Sequence, residues 1–339
     1  MPAGFSALDF YYILPELLLT GGAMMVLLLA VVTPRNDNLL LGVSLVTLAG
    51  TLFAVFLFTG LDVTAARGLL AVDGFAAFFK VIVLLSAVLT ILMSAPYLRV
   101  EGLKAGEYYF LILCATLGMM FMASGVDLIT LFIGLETMAV SFYILAGYLK
   151  PNPRSNEAAV KYFLLGAFSL GVLLYGMSLL YGATGTTGLR GIATALSGQE
   201  PSVVLILAVV LIGAGMGFKI AAVPFHMWAP DVYEGAPTPV TAFLSVGSKA
   251  ASFAMLIRIF VEGLPAVSAD WTALFWVLAV ITMTLGNVAA LTQSNLKRML
   301  AYSSIAHAGY LLIGVTVATE RGVASLLVYL GVYLFMQLG

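Results

Sequence analysis

Residues 213–240 read GAGMGFKIAAVPFHMWAPDVYEGAPTPV, and they place a lysine in an apolar segment between a cluster of glycines and a proline. A charged side chain at membrane depth is costly, and it is tolerated where it faces a protein interior or a water-filled path. A helix interrupted by glycine and proline at that depth is tolerated where protein or water satisfies the freed backbone groups. Lys219, with Gly217 before it and Pro224 after it, therefore predicts a broken membrane helix beside an ion or proton pathway.

The backbone around this lysine is expected to be distorted. Within a regular helix, Pro224 has no N–H to offer the carbonyl oxygen of Ile220, so we expect a free oxygen next to Lys219. Gly213 and Gly215 lower the cost of distortion and of close helix approach, although ordinary small-residue packing also accounts for them.

The composition of the chain is that of a membrane protein. Of its 339 residues, 62% are hydrophobic and 9% are charged, whereas a soluble domain carries about 25% charged residues. Lipid must therefore act as solvent for much of the surface. The formal net charge of −1 gives no reason to expect a nucleic-acid partner, and the single cysteine, Cys114, excludes an intrachain disulfide.

Apolar runs of about 20 residues predict an all-α polytopic membrane protein with about eleven transmembrane helices. The seventh of these is the broken helix near Lys219–Pro224, and the longest connection, Gly182–Ser202, is predicted to be a surface loop because it is rich in Gly, Thr and Ser. The whole chain, 1–339, is predicted to be one membrane domain. Its last apolar run reaches Gly339 without a basic flank, which favours a chain truncated at its C-terminus. The predicted spans are 11–32, 38–59, 74–95, 108–123, 127–149, 159–182, 202–223, 239–261, 271–292, 299–318 and 323–339.

The distribution of basic residues among the loops predicts the orientation. One set of alternate loops holds seven Lys or Arg residues and the other set holds three, and the richer set is expected on the cytoplasmic side. With eleven spans, the N-terminus then lies outside. The seven are Arg35, Arg99, Lys104, Lys150, Arg154, Lys297 and Arg298, and the three are Arg67, Arg190 and Arg321.

Several ionisable residues remain inside the predicted spans. Glu136, Lys249 and His307 each lie eight to ten residues into a span, which at ~1.5 Å per residue is close to the middle of the bilayer. Lys219 lies late in the seventh span and Lys161 in the first turn of the sixth. A carboxylate and a lysine that lie close together titrate as a coupled unit, and histidine titrates near neutral pH. These five residues therefore predict a proton pathway.

Each of these side chains also has a purely structural interpretation. Glu136, Lys219 and Lys249 are alternatively members of structural ion pairs, and His307 is alternatively a hydrogen-bonded helix contact. The remaining alternatives are that Lys161 and Arg258 extend to the interface and that Lys80 forms a local pair with Asp73.

Signatures of cofactor binding are missing from the sequence. GAGMG at 213–217 lies inside a predicted span and has no strand–helix–strand context, so it is not a dinucleotide site. There is no cysteine set for an iron–sulfur cluster and no convincing pair of haem histidines. His226 has no second ligand at a suitable spacing, so no metal site is predicted. We expect no redox chemistry on this chain.

Four motifs resemble one family. PFHMWAPDVYEGAPTPV at 224–240 is similar to the antiporter-like, proton-translocating membrane subunits of NADH-quinone oxidoreductase (respiratory complex I), and its VYEGAPTP portion favours the subunit N group over the sister subunits L and M. The other three motifs are GLETMAVSFYIL at 134–145, EAAVKYFLLGAFSLG at 157–171 and NLKRMLAYSSIAHAGY at 295–310.

The resemblance implies a fold of fourteen helices with two inverted five-helix repeats, each containing a broken helix. Residues 108–262 then form the first half-channel repeat, and 271–339 begin an incomplete second repeat. Glu136, Lys219 and Lys249 match the family's glutamate of the fifth helix, its lysine of the broken seventh helix and its lysine of the eighth helix.

The resemblance also implies a function in the bacterial inner membrane. Quinone reduction elsewhere in the complex would drive proton transfer through this chain, while NADH, flavin, iron–sulfur clusters and quinone bind to partner subunits. The expected neighbours are subunits M, K and J. The alternatives are a subunit of a cation/proton antiporter or of a membrane-bound hydrogenase, or a structural membrane spacer.

Overall fold

The computed structural model describes residues 7–33, 36–198 and 200–339. Within these ranges the chain is almost entirely helical. The helices are α1 (Ala7–Tyr12), α2 (Leu14–Val32), α3 (Asp37–Leu57), α4 (Gly74–Glu101), α5 (Ala105–Ser124), α6 (Leu128–Ala146), α7 (Pro153–Thr184), α8 (Leu189–Leu196), α9 (Val203–Lys219), α10 (Trp228–Gly235), α11 (Thr238–Phe243), α12 (Lys249–Ile257), α13 (Ser268–Leu291), α14 (Leu296–Thr316) and α15 (Glu320–Leu338).

Shorter elements complete the chain path. The π-helical turn Leu244–Ser248 joins α11 to α12, and a second, Arg258–Gly263, extends α12. Together they form one continuous segment, Thr238–Gly263. Strands β1 (Val63–Ala65) and β2 (Leu70–Val72) form a small antiparallel hairpin between α3 and α4. The 3₁₀ turns are Ala66–Gly68 and Pro265–Val267.

The predicted polytopic helical architecture is confirmed. Within the described ranges, ten helical segments are long and apolar enough to cross a membrane, and each coincides with a predicted span. Of the eleven predicted spans, the seventh is the one that does not match such a segment, because its helix α9 has only 17 residues and ends at Lys219. The hairpin and two isolated β-bridges are the departures from an all-α chain among the described residues.

Segment Thr238–Gly263 lies at the centre of the bundle. In its most apolar stretch 89% of the residues are buried, against 28% for α2. A helix that is apolar on every side is stable when other helices surround it. The segment therefore holds Lys249 deep in the protein, away from lipid.

Polar caps set the starts of the helices that carry other candidate residues. The Asp127 carboxylate accepts from the backbone N–H groups of Ile129 and Thr130 at the start of α6, and Asn295 caps α14 in the same way. Such side chains satisfy backbone donors that have no partner within the helix.

Two loop predictions need comment. The connection Gly182–Ser202 is not wholly a loop, because α7 continues to Thr184 and α8 follows at Leu189–Leu196. The apolar face of α8 is buried, and sequence composition alone hid this short amphipathic helix. Arg35, one of the residues used to predict the orientation, lies outside the described residues.

Candidate functional site

The seventh helix breaks immediately after Lys219. The backbone turns out of α9 through Ala221, which has a φ of 58°, and α10 begins at Trp228. Pro224 is exposed and lies in the connecting segment, so it does not free the Ile220 carbonyl within an intact helix. The prediction of a break is confirmed, but that cause is wrong, because the helix has already ended at Lys219.

Protein groups satisfy the backbone of the break. The N–H of Ala222 donates to Gly217 O at 2.8 Å, and the N–H of Val223 donates to Oγ1 of Thr282 on α13 at 2.9 Å. The indole Nε1 of Trp228 donates to Phe218 O, also at 2.9 Å. Irregular backbone at membrane depth requires such internal partners.

The glycines of α9 permit close packing. A β-carbon at Gly217 would lie 2.9 Å from the ring of Phe225, which folds back over the helix end. A β-carbon at Gly215 would lie 2.6 Å from Cβ of Leu173 on α7. The structure therefore supports the packing interpretation of these glycines, whereas their backbone stays helical within α9.

Lys219 is buried and has no polar contact. Its residue is 3% exposed, and Nζ has no hydrogen-bond or salt-bridge partner in the part of the chain that the structure describes. Nζ lies 5.8 Å from the ring centroid of Tyr143 and 5.9 Å from that of Phe218, distances at which a cation is attracted to a ring. An unpaired charge at membrane depth is costly, so the protonation of Lys219 depends on what surrounds it.

Glu136 lies on α6 and is partly buried. It interacts electrostatically with Lys219 but forms no salt bridge with it, or with any other described residue. The structural ion pair considered from the sequence is therefore absent. The two charges are coupled through space, which leaves the proton affinity of Lys219 sensitive to the charge of Glu136.

Aromatic side chains that the sequence analysis did not single out surround Lys219. Tyr162 packs edge-on against Tyr143 at a centroid distance of 4.8 Å and stacks on Trp228 at 4.6 Å. The hydroxyl of Tyr143 is buried and has no hydrogen-bond partner among the described residues. The signal in the sequence was the placement of Tyr143 and Tyr162 within motifs already noted for their charges.

An apolar cavity of about 220 Å³ lies beside the break. Phe168, Phe225 and Trp228 are among its lining residues, and Lys219 is not. Because Phe168 is 76% exposed, the cavity opens towards the lipid-facing side of the bundle.

Lys249 has a different environment. It is 2% exposed and follows the π-helical turn Leu244–Ser248, a kind of distortion that is frequent at functional sites. Its Nζ donates to the backbone carbonyl of Ser304, and to Oγ of Ser304 at 2.6 Å. Ser304 Oγ is in turn 2.8 Å from the hydroxyl of Tyr333. The alternative of an ion pair for Lys249 is wrong, because its partners are neutral oxygens.

His307 lies one turn along α14 from Ser304. Its Nδ1 is hydrogen-bonded to the hydroxyl of Tyr329, and its ring centroid is 5.3 Å from that of Tyr333. Lys249 also acts on it electrostatically. The structure therefore groups His307 with Lys249, in agreement with a hydrogen-bonded contact between helices.

Lys161 lies in a network of charges around α10. Its Nζ is 2.7 Å from both Asp231 and Glu157, and 42% of its side chain is exposed. Arg298 binds the other oxygen of Asp231 at 2.7 Å and Glu234 at 3.1 Å. This charged network joins α7, α10 and α14. The charge of Lys161 is therefore neutralised by carboxylates, and the side chain does not extend to the lipid interface.

Two further predictions about charges are wrong. Lys80 pairs with Glu16 of α2 at 2.7 Å instead of with Asp73. Arg258 is 3% exposed and binds Asp73 at 2.8 Å and Glu262 at 2.7 Å, so it does not extend to the interface. Asp73, the carboxylate predicted to pair with Lys80, therefore pairs with Arg258.

Potential metal ligands are dispersed. Across 7–33, 36–198 and 200–339, no three His, Cys, Asp or Glu side chains come together as a metal site.

Comparison with known proteins gives consistent matches. The family described as NADH:quinone oxidoreductase/Mrp antiporter, TM, matches residues 125–339. The chain is 48% identical over 338 residues to NADH-quinone oxidoreductase subunit N of Trichlorobacter lovleyi, an alignment that covers 99% of this chain and 69% of the relative. Across the curated relatives it matches, the chain spans 51% to 70% of their length.

Two solved structures contain chains with a similar fold. A chain of respiratory complex I from Thermus thermophilus with bound aureothin is 34% identical and superposes with a TM-score of 0.79, covering 96% of this chain and 68% of that one. A chain of the Mrp complex from Dietzia sp. DQ12-45-1b is 26% identical with a TM-score of 0.84, covering 96% of this chain and 36% of that one.

Proposed function

Because the chain belongs to the NADH:quinone oxidoreductase/Mrp antiporter family, as its motifs indicated, we propose that it is a proton-translocating membrane subunit of an NADH-quinone oxidoreductase. Quinone reduction elsewhere in the complex supplies the energy. NADH, flavin, iron–sulfur clusters and quinone bind to partner subunits, and this chain contributes proton transfer only. One observation carries the proposal: Lys219 is buried at a helix break without a polar partner and within electrostatic reach of Glu136.

In the proposed mechanism Glu136 controls the proton on Lys219. While Glu136 is negative, it stabilises the ammonium group, and this interaction matters because Lys219 has no other acceptor among the described residues. Protonation of Glu136, or its movement away from Lys219, removes that stabilisation. Lys219 then releases its proton, since an isolated ammonium group at membrane depth is costly. The energy of quinone reduction would act on Glu136.

Lys249 is the proposed next proton carrier in the pathway after Lys219. It lies on the central segment, and its neutral oxygen partners leave it able to accept and release a proton. His307 lies beyond it, next to Tyr329. The charged network at Lys161 and Asp231 is the proposed entrance, since the basic loops that mark the predicted cytoplasmic side flank it.

The setting of the subunit belongs to the same proposal. The chain lies in a bacterial inner membrane with its N-terminus outside, next to subunits M, K and J. Residues 108–262 act as the first half-channel repeat, and 271–339 belong to the second.

Substitution of the two coupled charges tests the proposal. Glu136→Ala and Lys219→Ala, introduced into the full-length subunit and assembled into the complex in vesicles, are expected to reduce proton pumping and coupled electron transfer sharply. Glu320→Ala, which removes an exposed carboxylate at the start of α15, serves as the control and should pump normally. Normal pumping stoichiometry in both of the first two variants would reject the proposal.

The fold similarity to the Mrp complex favours a second candidate, a cation/proton antiporter subunit. Sodium-dependent proton movement in vesicles without any quinone chemistry would support it. A membrane-bound hydrogenase subunit shares this class, and hydrogen-dependent pumping would identify it. A membrane spacer predicts instead that charge-neutralising substitutions leave pumping intact while substitutions in helix packing block assembly.

A further inference from the structure

Three buried polar groups from three helices form a connected chain at the centre of the bundle. Lys249, Ser304 and Tyr333 are 2%, 0% and 1% exposed. They lie on α12, α14 and α15, and hydrogen bonds link Nζ of Lys249 to Ser304 Oγ and Ser304 Oγ to the Tyr333 hydroxyl. Buried polar groups that are fully hydrogen-bonded hold one defined arrangement.

We propose that Ser304 and Tyr333 form a hydroxyl bridge that positions the proton-carrying group of Lys249 on the side of His307. Both are positioning residues, and neither needs to carry a charge. The inference rests on the proposed function, because it assigns a role within proton transfer through Lys249.

The hydroxyl bridge fits both protonation states of the lysine. An ammonium group only donates, so Ser304 Oγ accepts from Lys249 and gives its own hydrogen to Tyr333. A neutral amine has a lone pair, so Ser304 Oγ can donate to Nζ and accept from the Tyr333 hydroxyl. Loss of the proton from Lys249 therefore allows both hydrogen bonds to reverse direction, while the second acceptor of Nζ, the Ser304 carbonyl, keeps an N–H donor. A carboxylate partner would instead hold the proton on the lysine.

The hydroxyl bridge also has a direction. Tyr329 and Tyr333 are four residues apart on α15, and Ser304 and His307 are three apart on α14, so each pair lies on one helix face. The structure matches the two faces, with Tyr333 bonded to Ser304 and Tyr329 bonded to His307. The Tyr333 ring also lies against the His307 ring. The hydroxyl that can reorient when Lys249 loses its proton therefore lies beside the next titratable group.

Hydroxyl-deleting variants test the inference in the full-length subunit within the assembled complex in proteoliposomes. The variants are Tyr333→Phe and Ser304→Ala, with Lys249→Ala as the reference. Tyr302→Phe is the matched control on α14, since the Tyr302 hydroxyl makes no hydrogen bond with a described residue. The measurement is protons pumped per quinone reduced, normalised to the amount of assembled complex, so that loss of folding alone does not change it.

Tyr333→Phe and Ser304→Ala are each expected to show at least half of the loss measured for Lys249→Ala, and Tyr302→Phe to pump normally. Ser304→Thr keeps the hydroxyl and is expected to restore pumping relative to Ser304→Ala, which a purely packing role would not produce. Normal ratios in both hydroxyl-deleting variants, with a loss in Lys249→Ala, would overturn the hydroxyl bridge and leave the proposed function standing. A normal ratio in Lys249→Ala itself would count against the proposed function.

Discussion

Nε1 of Trp228 donates a hydrogen bond to the backbone oxygen of Phe218 at 2.9 Å, so a side chain from beyond the break closes the helix end that carries Lys219. Trp228 is 2% exposed, and its ring also stacks on Tyr162 of α7. Lys219 is the last residue of α9, so its position depends on the contacts that α9 makes with α10 and α7.

Trp228→Phe removes this hydrogen bond and retains an aromatic ring. We expect a loss of about 0.5–1.5 kcal/mol in the free energy of unfolding, because the buried oxygen of Phe218 loses one hydrogen bond and keeps the one from the N–H of Ala221. A lower midpoint of thermal unfolding in detergent would show the loss. Trp276→Phe is the matched control, since Trp276 is 61% exposed. Equal midpoints for the two variants would mean that the Trp228 bond does not stabilise the break.

The sequence alone located the helices and the break because both leave local signals. A run of apolar residues, or a lysine between glycines and a proline, is visible within 20 to 30 neighbouring positions. The break was predicted within a few residues of its place, and the cause was misassigned because the end of α9 is set by contacts made at a distance. Thr282, which satisfies the N–H of Val223, is 59 residues away.

The partners of the charges were the part that the sequence did not show. Lys80 lies only seven residues from Asp73 along the chain, yet its carboxylate partner is Glu16 on another helix. Lys249 is 55 residues from Ser304, and no local pattern links them. Depth in the membrane could be counted along the chain, whereas the choice of partner depends on which helices pack together.

Gly215→Ala tests whether α9 needs to approach α7 closely. The added methyl group would lie 2.6 Å from Cβ of Leu173, so the helices must move apart. We expect a loss of about 1–3 kcal/mol in stability, typical of overpacked cores. Gly171→Ala is the control, because its added methyl group meets nothing within 4 Å. The midpoint of thermal unfolding of each variant provides the comparison, and a shift of the same size in both would exclude the packing explanation.

Arg258→Ala probes the buried ion pair that joins α4 to the end of the central segment. Loss of the guanidinium group leaves Asp73 and Glu262 without their cation. Because these carboxylates are 21% and 39% exposed, water compensates part of the loss, and we expect a cost of about 1–3 kcal/mol. We expect less assembled subunit and a lower unfolding midpoint. Arg321→Ala, on an exposed position of α15, should behave like the unmodified protein. If Arg258→Ala were as stable as this control, the ion pair would have no net stabilising role.

Lys161→Ala distinguishes the role of the proposed entrance from that of Glu136 and Lys219. Lys161 is 42% exposed and shares Asp231 with Arg298, so the network keeps one cation when Lys161 is lost. Lys219 has no such substitute. We therefore expect Lys161→Ala to lower pumping less than Lys219→Ala does, and Lys161→Arg to retain most of it because the charge remains. Initial pumping rates in vesicles, normalised to assembled complex, provide the measurement. Equal losses in Lys161→Ala and Lys219→Ala would instead make Lys161 an obligatory proton carrier, with a role that Arg298 cannot replace.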